Sequence, residues 1–437
     1  MSAQQSHALR SRAVAFAGIF ASLIVVQPLA AQTTVTMWTF LDPNKTSPRE
    51  VALKEIIAGF EASNPSIKIK VEPQDFAQMP PKFFLGHRTG GNPDLVWIDA
   101  KNLGGLSQSG AGADLNALAV NAWSQAERDD FFVKAGWDAA LKDGKLMAMP
   151  LFHGASVIYY RKDLLKAAGI DPATLTSWDA LAAAAKKLTT DKDGDGRVDV
   201  WGFGMPLAAI KTESTPVLIG MLDQEGGPFN ACKANYATPE GIKSLTFTTD
   251  LITKDKVTPQ EALVQNVDDI TEQFTAGRYA MAITSNLRFS VIAKAAAFGG
   301  DNIGIIAWPS WSGKKPAPMP VSGWWIAAWQ KSPRLAEASK FIDYLASREA
   351  IGKWMTVGGQ VPIRKSLLDS PFLKQPANGW MTTMVDAWST SSWMEPTECN
   401  TRTLQSALNE AVSRVILDKV EPKAALQEAE RKFADAQ

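Results

Sequence analysis

Histidine and cysteine are scarce in this chain of 437 residues, which has three of the first and two of the second. His7 lies in the N-terminal leader discussed below, so only His87 and His153 remain, little material for histidine acid–base chemistry or a histidine metal site. An excess of either charge is also missing. The 45 Lys and Arg balance the 45 Asp and Glu, so no basic surplus is available to hold nucleic acid or an anionic membrane. The apolar run Ala13–Val26 is shorter than the roughly 20 residues a spanning helix needs. No G-x-S-x-G, H-E-x-x-H, phosphate-cradling or dinucleotide-binding motif occurs, nor any internal repeat or low-complexity tract. One enzyme class stays open, secreted glycoside hydrolysis, because two carboxylates at the right distance leave no signature in a sequence.

Residues 1–31 read as a signal peptide. Arg10 and Arg12 precede the apolar run, and Leu29-Ala30-Ala31 supplies the small residues of a cleavage site. No cysteine follows that site to carry a lipid, so the mature protein is expected to be periplasmic, soluble and monomeric. In an oxidising compartment the isolated pair Cys232 and Cys399 is expected to form a disulfide rather than two free thiols.

A chain of this length exceeds what one core ordinarily supports, roughly 250–300 residues, and so divides into two domains. From the mature start, strands and helices alternate. Thr34–Phe40 and Pro93–Ile98 are strands by their β-branched and aromatic content, Ile67, Ile69 and Val71 alternate with lysines, and Leu53, Ile56, Ile57 and Phe60 share one helical face. Such alternation builds α/β lobes, each a central, mostly parallel sheet flanked by helices. The pivotal stretch is Met149–Trp178, where a β-branched and aromatic run (Val157–Tyr160) leads into an amphipathic helix and then a capped second helix. The chain is expected to leave one lobe within Met149–Ser156. Element order assigns residues 32–150 and 303–355 to the N-terminal lobe, and 151–302 and 357–437 to the C-terminal lobe.

Ligands of such sheets bind beyond the carboxyl ends of the strands. Trp38, Phe40 and Asp42 leave the first strand there, and Asp99, Lys101 and Asn102 the third. Tryptophan is the compositional anomaly, 15 against 5 tyrosines. An indole face stacks on the C–H face of a sugar while Asp, Asn and Arg take the hydroxyls. Asp191, Asp193, Asp195 and Gly196 match the first half of a calcium loop, and Asp199 adds a fourth acid. Gly202 stands where the loop's bidentate Glu belongs, so a solvated turn is the alternative.

TMWTF near the mature start, Asn92–Leu115, Val157–Ile170 with TSWDAL after it, Phe274–Asn286 and Val321–Trp329 occur in an order that resembles the extracellular solute-binding proteins of carbohydrate importers, the maltose-binding type. The resemblance implies the type II two-lobe periplasmic binding protein fold, with sugar in the interlobe cleft, closure on binding and delivery to the permease of an ABC transporter, without a cofactor. It places Trp38, Phe40, Asp42, Asp99, Asn102 and Trp324 on the N-terminal lobe of the site. Phe152, His153, Trp201, Asn286 and Arg288 come from the other lobe. The charged pair of maltose binders corresponds here to Lys101 and Asn102, a departure from that pattern. Trp325 is the further candidate, but in an extended strand Trp324 and Trp325 point to opposite sides. The resemblance favours Trp324 in the cleft and leaves Trp325 as its packed partner. A polyol or glycerol-phosphate receptor, with Arg288 and Lys211 on the phosphate, is the alternative within binding proteins.

Overall fold

The computed structural model describes residues 32–224, 227–230 and 232–437. The leader, residues 1–31, lies outside the described residues. Nine strands make two sheets: β1 Thr33–Thr39, β2 Ile67–Pro73, β3 Leu95–Asp99, β4 Met149–Gly154, β5 Ser156–Arg161, β6 Trp201–Gly204, β7 Tyr279–Ser285, β8 Ile303–Ile306 and β9 Ser322–Ala328. The helices that matter below are α1 Pro48–Ser63, α2 Met79–Thr89, α3 Leu335–Ala346, α4 Arg348–Thr356, α5 Gly379–Thr390, α6 Leu404–Leu417 and α7 Pro422–Asp435.

The first sheet has the order β2-β1-β3-β9-β4 and the second β8-β5-β7-β6. In the first, β1 runs parallel to β2 and β3, while β9 is antiparallel to both β3 and β4. In the second, β5 is antiparallel to β7 and β8, and β6 is parallel to β7. Strands β4 and β5 are buried at every position, as strands covered on both faces must be.

Local sequence explains the helices that cover the sheets. Ser47 and Glu50 form a capping box at the start of α1 with Pro48 in its first turn, which satisfies N–H groups that a helix start leaves open. Its buried face, Leu53, Ile56 and Phe60, lies in the first core, where Phe60 meets Phe341 of α3 edge-on at 4.9 Å.

Sheet pairing moves two of the expected lobe boundaries. Ile303–Ile306 pairs with β5 from Arg161 to Ile158 and therefore belongs to the second lobe, not the first. Its apolar run marks a strand without saying which sheet receives it. At the other boundary, the segment after α4 stays with the first lobe. Phe132 donates its N–H to Ile363 O (3.3 Å), and Arg364 forms an ion pair with Asp130 (2.8 Å). The second lobe is reached only by α5, where Trp380 stacks on Phe289 at 4.4 Å.

Cys232 and Cys399 form a disulfide, with Cα atoms 5.3 Å apart. The cross-link closes 167 residues of sequence, and loops of that size are stabilised by roughly 4–5 kcal/mol in the chain-entropy picture.

Asp94 is the chief buried charge of the first lobe, 1 % exposed. It accepts bonds from Thr36 N (2.7 Å) and Oγ1 (3.0 Å), Ser332 Oγ (2.6 Å) and Arg334 Nε (2.9 Å), tying β1 to the turn before α3. Burial pushes its carboxyl up, but those four donors outweigh it and hold Asp94 below the usual carboxylate range. Its contribution to stability is therefore present above about pH 4 and lost as pH falls below that value. Asp94→Asn is expected to cost about 3 kcal/mol at neutral pH, read by urea unfolding, because donors remain buried without their anion.

Candidate functional site

The strand directions bring one end of each sheet together. Parallel β1 and β3 end at Thr39 and Asp99, β4 ends at Gly154, and antiparallel β9 starts at Ser322 opposite Gly154. From the second sheet, β5 starts at Ser156 opposite Ser285, the last residue of β7. Ala155 alone separates β4 from β5, so the two sheets face each other across this junction. Asn286 holds it: its Oδ1 accepts the N–H of Ala155 (2.7 Å) and its own N–H donates to Ala155 O (3.0 Å). Asn286 is thus a junction residue, 1 % exposed.

On the first lobe's side, Phe40 is half-buried and lies 4.5 Å from the ring of Trp324, itself only 8 % exposed. Trp97 closes the cluster from beneath, 5.8 Å from Phe40. The half-buried Arg49 guanidinium sits over the Phe40 ring at 5.4 Å. Among the described residues it has no carboxylate within ion-pair distance. Burial lowers its pKa, Glu50 opposes this, and the like charge of Arg288 across the cleft adds to the lowering. Asp99 accepts from Asn102 Nδ2 at 2.5 Å, while burial pushes its carboxyl above the usual range. Asp42 caps its own loop, accepting from Asn44 N and Nδ2 (both 3.0 Å).

The second lobe contributes a charge cluster. Asp268 takes both Lys211 (2.5 Å) and Arg288 (2.6 Å), and the Lys211 ammonium, with Arg288, holds its carboxyl below the usual range. Burial pushes the Glu213 carboxyl up, against the Ser156 hydroxyl that donates to it and the nearby charges of Arg288 and Lys101. A cavity of about 90 Å³ joins the two lobes here, with Lys101, Ser156, Glu213, Ser322, Glu395 and Gln405 on its walls.

Five expected site residues lie elsewhere. Trp38 is 7 % exposed, donates Nε1–H to Glu72 (3.0 Å) and is covered by Lys82 of α2 at 4.4 Å; strand alternation sends it to the opposite face from Trp97. Phe152, 1 % exposed, packs between Trp97 (5.8 Å) and Trp354 (5.1 Å). His153 is 1 % exposed and packs on Trp325 at 5.0 Å. Trp325 is fully buried and donates Nε1–H to Gly136 O (2.9 Å). Trp201 begins β6 opposite Tyr279, six residues and so about 20 Å from the Ser285 end of the parallel β7. The residues overlooked in sequence are Arg49, Ser156, Glu213 and Glu395. None stands in a pattern, and only tertiary proximity gathers them.

Asp191, Asp193 and Asp195 do come together, with carboxylate oxygens within 4.8 Å of one another. Asp191 accepts the N–H groups of Gly194 and Gly196 (2.7 and 2.8 Å), and Asp199 turns to Lys192 N (2.7 Å). Gly202, at the position where the calcium loop's last ligand belongs, lies within β6.

The two sheets meeting end to end around a polar and aromatic cleft define a two-lobed ligand-binding protein of type II periplasmic topology. Residues 45–351, well over half of the chain, match the model of the bacterial extracellular solute-binding protein family, and the chain belongs to that family. Among curated relatives, the sn-glycerol-3-phosphate-binding periplasmic protein UgpB of Escherichia coli (strain K12) is 25 % identical over 350 residues, 78 % of this chain and 76 % of the relative. Among solved structures, the sugar-binding protein MalE from Xanthomonas citri matches with a TM-score of 0.75 at 19 % identity, covering 92 % of this chain and 97 % of that one. A solute-binding protein from Agrobacterium radiobacter K84 in complex with ribitol matches with a TM-score of 0.70 at 23 % identity, covering 93 % and 99 %. The family is one of solute-binding proteins rather than enzymes. Among the described residues no helix is long and apolar enough to cross a membrane.

Burial lowers the His153 imidazole to about 3. The unfolded chain takes up that proton near pH 6.5, so stability from neutral His153 is complete above pH 6.5 and drains as pH falls toward about 3. Between pH 7.5 and 4.5 the parent is expected to lose about 2–3 kcal/mol more than His153→Leu, compared by urea unfolding at both pH values.

Proposed function

We propose that this protein is the periplasmic substrate-binding component of an ABC importer, carrying a carbohydrate or related polyol in the interlobe cleft to the membrane permease. It performs no covalent chemistry: a ligand touching both lobes stabilises the closed form, and that form is the one the permease receives. The observation that carries this reading is the junction of the two sheets at Ala155, with an aromatic pair, Phe40 and Trp324, on one side and polar, charged groups on the other. Apolar ring faces beside Glu213, Lys101 and Arg288 suit a molecule with one C–H face and a rim of hydroxyls. The structural neighbours point the same way through the ribitol complex and the sugar-binding MalE.

A second reading takes support from Arg49. The curated relative binds sn-glycerol 3-phosphate, and Arg49, over the Phe40 ring, has no carboxylate within ion-pair distance among the described residues. Lys211 and Arg288 are poorer phosphate ligands than the sequence suggested, since both are already engaged by Asp268.

Thermal shift with maltose, D-tagatose, ribitol and sn-glycerol 3-phosphate separates the readings. A ligand at a hundredfold excess over Kd stabilises by about 2.7 kcal/mol, a clear rise in Tm. A rise with an unaltered sugar is the expected result, and a rise with glycerol 3-phosphate alone would select the second reading. Release of shorter sugars would mean a hydrolase.

Phe40→Ala and Trp324→Ala should each weaken binding by about 2 kcal/mol, roughly thirtyfold in Kd by calorimetric titration. Trp325→Ala should instead cost about 3–5 kcal/mol of folding free energy while the folded fraction binds as the parent does.

A further inference from the structure

The segment between α5 and α6 straps the two lobes together behind the cleft. Its residues Ser392 and Trp393 pair with Met319 and Pro320 just before β9, and Val321 N donates to Trp393 O (2.7 Å). Trp393 stacks on Phe229 at 6.4 Å and 9°, and Cys399 is bonded to Cys232, which fixes the strap to the second lobe. On the other side it reaches the first lobe. A Cβ on Gly104 would stand 1.8 Å from Thr397 O, so that glycine is what lets the two backbones meet.

Between these anchors the strap carries Glu395 to the wall of the interlobe cavity, where Gln405 of α6 joins it. Glu395 Oε2 and Gln405 Oε1 are buried and accept no hydrogen bond from any described residue, and Gln405 is 4 % exposed. Glu213, on the same cavity, is acceptor-only when ionised and receives the Ser156 hydroxyl alone. A buried acceptor without a donor is costly, and a carboxylate cannot turn to become one. Two such acceptors on one cavity wall are satisfied when donors arrive with a ligand.

We infer that Glu395 and Gln405 are specificity-determining residues that receive the hydroxyl-rich end of the ligand, a vicinal diol or polyol terminus. This rests on the carbohydrate or polyol reading of the cleft and adds to it the direction in which the ligand lies. Its hydroxyl donors sit inward, against the strap, and its C–H face lies outward, on Phe40 and Trp324. The cavity, about 90 Å³, is one part of the cleft, so it receives one end of the ligand.

The test is calorimetric titration of the disulfide-intact protein with maltose, D-tagatose and ribitol. Parent, Glu395→Gln, Glu395→Ala, Gln405→Leu and the exposed strap control Glu398→Ala are compared, and the apo Tm of each variant reports folding. The expected result is a Kd raised at least tenfold in Glu395→Ala and Gln405→Leu, a smaller rise in the isosteric Glu395→Gln, and no change in Glu398→Ala. A deoxy analogue of the bound probe should be rejected by the parent and tolerated by Glu395→Ala. Glu395→Ala and Gln405→Leu variants that fold and bind within twofold of the parent would overturn this inference and leave the carbohydrate reading standing. A parent that binds none of the three probes would overturn that reading and this inference with it.

Discussion

Two hydrogen bonds to Ala155 hold the architecture together. This single residue hands the chain from β4 to β5, and Asn286, at the end of β7, binds both its N–H and its carbonyl. Because one side chain and its own backbone take both groups, the strand of one sheet cannot shift lengthwise without moving the end of the other. Everything that forms the cleft is measured from this point. Ser156 follows it and fixes Glu213, Gly154 precedes it and pairs with Ser322, and Trp324 stands two residues further along β9.

The cleft is built from rigid parts for a physical reason. Its aromatic pair continues inward through Trp97 to Phe152 and Trp354, a chain of rings 4.5–6.2 Å apart. A platform resting on packed rings has lost its rotamer freedom at folding and pays little of it again when a ligand arrives. The polar side is organised differently. Asp268 pairs with both Lys211 and Arg288, whereas Arg49, over Phe40, has no carboxylate within ion-pair distance among the described residues. Burial lowers the Arg49 pKa, Glu50 opposes this, and the like charge of Arg288 adds a smaller lowering.

The strap behind the cleft follows from the covalent bond at Cys399. A segment with so little regular structure holds its place through a two-residue ladder, one stacked tryptophan and the disulfide. The export signal read in the leader fits this, because such a bond forms and persists only in an oxidising compartment.

Sequence alone determined the elements and their class. Alternating β-branched runs and amphipathic helices mark β1, β3, β5, β7 and α1 because backbone geometry, with its periods of two and 3.6, is a local property. The cysteine pair was legible from its isolation, and strand-end positions singled out Phe40, Asp42, Asp99 and Asn102 as candidates, while Arg288 and Trp324 entered through the family resemblance. Tertiary structure decided what local periodicity cannot carry. It sent Ile303–Ile306 to the second sheet, turned Trp38 onto α2, sealed Phe152 and His153 into cores, and put Trp201 at the far end of its strand, whereas the burial of Trp325 was expected from strand alternation. A strand's pattern shows that its two faces differ, but which sheet accepts it, in which direction and under which helix depends on partners distant in the sequence. For the same reason Glu213, Arg49 and Glu395 became visible only when the fold brought them to one cleft.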